Sequence, residues 1–406
     1  MTINKHPNAI TLIYSTLESD KFLTLKESRK QFIANVLLLF LSIKGRINFL
    51  QLSRFSKNCE QFYRINFENK FNFQDFNLKL ILEQSIKECL VAFDPSYISK
   101  SGKMTYGLNM YWSGCAKKAK WGLEICGFAA IDVLRNTAFH LNAIQTPPLE
   151  RVTLLVYYCQ IVKEHYLYFK ELSKYMVADA YFSKKEVVDT MFSLGLHFIS
   201  RLRSDSNLKY KFTGEQNGKK GANKKYDGKF NLKSLKMNHF TVVVSKENVK
   251  VYSAIVYSVA FKRDIRIAVA VFYKDGKEVI RKIYFSTHLD LSGDKIFSYY
   301  CSRFQIEFLY RDAKQHCGLN NCQARSQNKL NFHFNAALTA VNLAKVDWLN
   351  TKVDENSQFS MSDYKTIYNN ELLLKTFIER FGINPNTKKN ENIIAELRNW
   401  GKIAAL

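Results

Sequence analysis

No Cys-x-x-Cys pair occurs among the eight cysteines, at positions 59, 89, 115, 126, 159, 301, 317 and 322. Several lie inside apolar runs such as Cys89 to Phe93, so they read as free thiols kept in a reducing compartment. His316, Cys317 and Cys322 cluster but lack the second ligand pair a zinc site needs. The longest apolar run, Val36 to Ile43, is too short for a bilayer, and Met1 to Pro7 lacks the shape of a signal peptide. The expected location is therefore the cytoplasm, with no membrane partner. No segment repeats at a fixed period. Acidic residues are also few: 36 Asp and Glu against 60 Lys and Arg leave a formal charge of +24. The basic residues run along nearly the whole chain rather than forming a tail, which points to a polyanionic partner, nucleic acid first. With 406 residues, 47% of them hydrophobic, the chain has material for a large core and for two or three domains.

In chain order, residues 25 to 43 read as a helix buried on most sides. The pieces at 48–55 and 60–65 read as short helices with cations beside apolar residues, as in a small DNA-binding helical module. Glu88 to Phe93 is a continuous apolar run that reads as a buried strand delivering Asp94 at its end. Residues 104–113 and 121–144 read as further strands, and 149–170 as a long helix. Tyr175 to Ala178 is a second short apolar run ending in an acid, Asp179, and Ser183-Lys-Lys-Glu186 matches a capping box. Residues 204–229 are polar, Gly-rich and Lys-rich, and read as a mobile cationic excursion. From Phe240 to Phe285 the alternation predicts antiparallel strands, with Lys274-Asp-Gly-Lys277 as a hairpin turn. Helices follow at about 292–318 and 331–349, then a charged helical end.

Within the first of these helices, Tyr300, Arg303, Glu307 and Lys314 fall at helical multiples, within a sector of roughly 60°. An apolar row of Phe297, Cys301, Phe304 and Phe308 lies about 100° away and is expected to face the core, which would leave the polar row at its border. Asp94 and Asp179, each at the end of a buried strand, would bring two more carboxylates to the same side. Three bare buried acids repel one another, and hard divalent cations such as Mg²⁺ or Mn²⁺, two of them held by shared carboxylates, resolve the conflict. Taken singly, Asp94 before Pro95 and Asp179 before Tyr181 also fit ordinary turn residues.

The spacing of Tyr300, Arg303, Glu307 and Lys314 resembles the YREK signature of DDE transposases of the insertion-sequence-four group. Phe93-Asp94-Pro-Ser-Tyr97 and Val177-Ala-Asp179-Ala-Tyr-Phe182 are similar to the blocks around that family's first and second acids, and Gln323-Ala-Arg325-Ser follows the signature. The likeness covers about residues 25–350. It implies a mixed α/β, ribonuclease H-like catalytic core with a β-rich insertion, preceded by a small helical domain. The implied divisions are a helical DNA-binding part at 1–85, the catalytic core at 86–203 and 293–350, the insertion at 204–292 and a helical region at 351–406. It further implies metal binding by Asp94, Asp179 and Glu307, and contact of Tyr300, Arg303 and Lys314 with DNA. The partners would be double-stranded terminal repeats and target DNA, held by a homodimer in a bacterial, nucleoid-associated synaptic complex. One departure stands out: characterised members stack a flipped base on a Trp of the insertion, and residues 203–295 contain none. Tyr226, Phe230 and Tyr284 are the substitutes on offer. A nuclease of the same fold without strand transfer, and a non-catalytic DNA-binding relic, would share much of this pattern.

Overall fold

The structure, a computed structural model, describes residues 9–216, 222–351 and 358–403. The N-terminal heptapeptide read for a leader and the centre of the Gly/Lys-rich loop, 217–221, lie outside the described residues.

Five helices come first: α1 (Ala9–Leu17), α2 (Glu27–Ser42), α3 (Phe49–Arg54), α4 (Glu60–Asn66) and α5 (Phe73–Leu82). Asn48 and Asn72 start α3 and α5 by accepting hydrogen bonds from the backbone N–H of Gln51 and Asp75. Next come β1 (Cys89–Ser99), β2 (Asn109–Ser113), β3 (Lys118–Asp132) and β4 (Thr137–Gln145). They are followed by α6 (Leu154–Leu172), β5 (Tyr175–Val177), α7 (Lys185–Ser193) and β6 (His197–Leu202). The insertion supplies β7 (Leu208–Lys211), β8 (Tyr226–Lys229), β9 (Thr241–Lys246), β10 (Val249–Ser258), β11 (Arg263–Lys274) and β12 (Lys277–Ser286). The chain closes with α8 (Gly293–Ser302), α9 (Gln305–His316), α10 (Gln327–Thr351), α11 (Met361–Phe381) and α12 (Lys388–Arg398).

β3 pairs antiparallel with both β1 and β4, while β5 and β6 run parallel to β1 on its other side. The order β4-β3-β1-β5-β6, an antiparallel meander followed by parallel strands, is consistent with a ribonuclease H-like fold. The insertion does not form a separate layer. β12 pairs antiparallel with β6 and carries β11, β10, β7 and β8 onward in the same sheet. Its hairpin turn is where the sequence places it, with Asp275 and Gly276 both at positive φ, as a tight primed turn requires. The ends of the cationic excursion are ordered as the paired strands β7 and β8.

The edge strand β4 is protected in a way the sequence did not announce. Asn335 and Asn342, two helical turns apart on buried α10, accept hydrogen bonds from the backbone N–H groups of Ala143 (2.9 Å) and His140 (2.7 Å). Their amide nitrogens donate back to the carbonyls of the same two residues. Lys345 adds a bond to the carbonyl of Ala138. Asparagine thus does what a neighbouring strand would do for an otherwise unpaired edge.

Four sequence expectations change. Asp94 does not end its strand: β1 continues through Pro95 to Ser99. β5 pairs only with Val91 and Ala92, so beyond that point β1 has one partner, a setting that tolerates proline. Ser183 does not cap α7; its hydroxyl bonds Ser200 and the carbonyl of Arg201 instead. The helix expected at 292–318 is two helices, α8 and α9. At their junction Phe304 N–H bonds Cys301 O and Glu307 N–H bonds Phe304 O, three residues back rather than four. The tightening lets α8 pack on insertion strands and α9 on β1, β3 and β4. Finally, the Phe row is not the core face. Phe304 is 48% exposed, whereas Ile296, Tyr299, Ile306, Leu309, Tyr310 and Ala313 are buried. On a helical wheel these buried residues lie opposite the Phe row, and it is their row that packs against the strands.

Among the described residues no helix is long and apolar enough to cross a membrane. All eight cysteines are free thiols; Cys126, Cys159, Cys317 and Cys322 are buried, while Cys59, Cys115 and Cys301 are exposed.

Candidate active site

The register of the central strands brings the first two acids together. Ala92 pairs with Val177 across the parallel β1–β5 ladder, and Asp94 and Asp179 each lie two residues further on. Side chains two apart share a face, so both carboxyls emerge on the same side of neighbouring strands about 4.8 Å apart. Past β5 the chain turns, with Asp179 Oδ1 accepting from Tyr181 N–H (2.8 Å) and its carbonyl accepting from the Ser200 hydroxyl (2.8 Å). These bonds fix the direction of the carboxyl.

The third acid arrives on α9, whose position is set by Tyr310. The Tyr310 hydroxyl, buried, donates to the backbone carbonyl of Asp94 (2.6 Å). It fits because the residue paired with Asp94 on β3 is Gly127, where a Cβ would come within 1.9 Å of that hydroxyl. One turn before Tyr310, Glu307 occupies the first turn of α9. Arg303, at the junction, sits between two of the acids: Nη2 lies 2.8 Å from Glu307 Oε1 and Nη1 3.7 Å from Asp94 Oδ1. Its Nε is buried without a hydrogen-bond partner among the described residues. Lys314, two turns beyond Glu307, donates to the Ser96 hydroxyl (2.8 Å) and the Tyr97 carbonyl (3.0 Å), which ties α9 to β1. The Tyr300 ring is half-buried, 4.8 Å from that of Tyr284 and with Arg303 over its face at 5.8 Å.

Electrostatics follow from this crowding. The Asp94 carboxyl is pushed up to about 7, mainly by burial, with Arg303 and Lys314 pulling it down and Glu307 and Asp179 raising it. Burial works against the Arg303 charge, but Asp94 and Glu307 outweigh it and hold the guanidinium above its ordinary value. Burial lowers Lys314, and Asp94 partly offsets that. A carboxyl that binds its proton more tightly when folded opposes folding as pH rises. Its favourable contribution is complete below about pH 4 and is lost through about pH 7. Asp94→Asn is therefore expected to stabilise the chain at pH 8 in chelator by on the order of 2 kcal/mol, with the difference fading toward pH 4. Urea unfolding at the two pH values measures it.

The donors suit a hard divalent cation in kind: three carboxylates, one of them raised by desolvation and further by the other two. Among the described residues, however, no three His, Cys, Asp or Glu side chains stand close enough to hold a metal ion. Instead the Arg303 guanidinium spans Asp94 and Glu307 and supplies the positive charge between them.

All six residues singled out from the sequence thus lie around one locus. Four others there were missed: Tyr310 and Ser96, which position α9, Arg201, within electrostatic reach of Tyr300, and Glu124. Glu124 is buried on β3, where it accepts from Tyr158 (2.6 Å) and Thr146 (2.9 Å), and burial raises its carboxyl. Ser96 had a signal, since it lies two residues past Asp94 in a strand. Of the aromatic substitutes in the insertion, Tyr284 and Phe230 are buried, and Tyr226 packs its ring 5.0 Å from Tyr257.

Residues 160–343 match the family model of the transposase DDE domain. The match supports a DDE transposase. No curated protein matches the chain. The DDE span includes Asp179, Tyr300, Arg303, Glu307 and Lys314; Asp94 lies ahead of it and joins through the β1–β5 register.

Proposed function

We propose that the chain is a transposase of the insertion-sequence-four group, which cuts a mobile element from DNA and joins its 3′ ends to target DNA. The reading rests chiefly on one observation: acids from β1 and α9 share a single guanidinium, with a third acid at the end of the adjacent strand β5. Asp94, Asp179 and Glu307 would hold one or two Mg²⁺ or Mn²⁺ ions. Such ions supply Lewis acidity toward a phosphodiester and toward the oxygen that attacks it.

The protein's own groups have distinct tasks in this reading. Arg303 neutralises Asp94 and Glu307, and its guanidinium would suit a DNA phosphate if a bound cation took over that task. Lys314 holds β1 and presents its charge to the same backbone, while Tyr300 offers a ring face beside it. Asp94 keeps its carboxyl proton up to about pH 7, so ligation requires its release and activity should climb through that range. Helices within 1–85 and the +24 charge suit binding of double-stranded terminal repeats, with two copies in a synaptic complex.

The decisive assay supplies pre-cleaved element ends, Mg²⁺ and supercoiled target. Joined products are expected; hydrolysis without joining would mean a nuclease of the same fold, and neither activity would mean a relic.

A further inference from the structure

Past Asp94, β1 runs into a second feature. Tyr97 and Ser99 form one wall of a cleft of about 1080 Å³, closed by the 100–108 loop, the start of β3 and the segment after α9. Five cations line it (Arg46, Lys100, Lys103, Lys120 and Arg325) and no Asp or Glu. Lys100 is committed to the Cys322 carbonyl, but the other four make no ion pair among the described residues. A lining of one sign repels itself and suits a polyanion.

Beside these cations stands an aromatic face. The chain has four Trp, and two are on the β2–β3 hairpin: Trp112, 64% exposed, and Trp121, 62% exposed. Trp121 pairs with Met110 and Trp112 with Ala119, so all four share the outer face, while Tyr111 between them points inward and is buried. Trp121 also lines the cleft, and its carbonyl accepts from the Tyr97 hydroxyl (2.7 Å), which anchors it to the strand carrying Asp94. Tyr97 lies three residues past Asp94, about 10 Å along the strand. Protein interfaces are depleted of Lys at their centres, whereas exposed indoles among unpaired cations suit bases that stack and phosphates that follow them.

We propose that this cleft binds DNA bearing unpaired nucleotides, whose bases stack on Trp121 and then Trp112 while Arg46, Lys103, Lys120 and Arg325 hold the phosphates. The inference rests on the proposed function only in taking DNA as the polyanion. It places the stacking platform on the β2–β3 hairpin, outside the insertion.

The test compares binding of the full chain to a blunt duplex and to the same duplex with an unpaired thymine tail. The tail is expected to tighten binding about tenfold. Trp121→Ala should erase that gain and leave the blunt duplex within about twofold, with Trp121→Phe retaining most of it. Lys103→Glu with Lys120→Glu should weaken both probes and flatten the salt dependence. Equal binding of the two probes by the parent chain, or a tail preference that survives Trp121→Ala, would overturn the proposal. So would loss of dimer mass in light scattering on Trp112→Ala and Trp121→Ala with tail preference intact, because the face would then join two copies. Failure of strand transfer with tail preference intact would count against the proposed function alone.

Discussion

Replacing Glu307 by Gln is expected to lower cleavage of an element end at least about a thousandfold while changing end binding less than about threefold. Gln has the same shape and keeps an oxygen where Arg303 Nη2 now meets Oε1 at 2.8 Å, so the helix junction has no reason to move. The carboxylate is also 38% exposed, and its loss leaves no buried charge without company, since Arg303 still faces Asp94. What disappears is a full negative charge at the locus, and with it a hard ligand for a divalent ion. Cleavage of a labelled duplex and its mobility shift, measured on the same preparation, separate the two effects. Loss of both together would make Glu307 a structural residue.

The second large effect is expected at a residue with no side chain. In Gly127→Ala the new Cβ would sit 1.9 Å from the Tyr310 hydroxyl, far inside contact distance, in a region where both residues are packed. Tyr310 is buried and its hydroxyl is held by the Asp94 carbonyl at 2.6 Å, so it has little room to retreat. Overpacking of this kind costs about 1–3 kcal/mol, and a lost hydrogen bond about 1 kcal/mol more. Function should suffer further, because α9 would be pushed from β1 and Glu307 would part from Asp94. Thermal melting and cleavage measured together would register both losses. The double variant Gly127→Ala, Tyr310→Phe should recover part of the stability by removing the clashing oxygen, and failure to recover any would place the strain elsewhere.

Much of the site could be read from residue order, because its logic is local. Asp94 and Asp179 each follow a short apolar run, and Tyr300, Arg303, Glu307 and Lys314 lie on neighbouring turns. What the periodicity misjudged was direction. The wheel carries two apolar rows, Phe297, Cys301, Phe304 and Phe308 on one side and Ile296, Tyr299, Ile306, Leu309, Tyr310 and Ala313 on the other, and periodicity alone does not say which meets the sheet. The second row packs inward, and the Phe row, expected in the core, reaches the surface, where Phe304 and Phe308 meet edge to face at 5.3 Å with Arg311 over Phe308. Tyr310 and Gly127 left no readable trace, since their partnership joins residues 183 positions apart through a register that only pairing reveals.

By itself the sequence determined the apolar runs ahead of Asp94 and Asp179, the helical character of the Glu307 segment, the turn at Asp275-Gly276, the excess of positive charge and the absence of a Trp in the insertion. These depend on alternation, composition and backbone preference, which neighbouring residues decide. Tertiary structure alone decided that Arg303 stands between Asp94 and Glu307, that asparagines of α10 seal the edge of β4, and that Trp121 opens onto a cleft of cations. Each of these is a contact between distant segments, and its geometry exists only once the sheet has fixed where those segments meet.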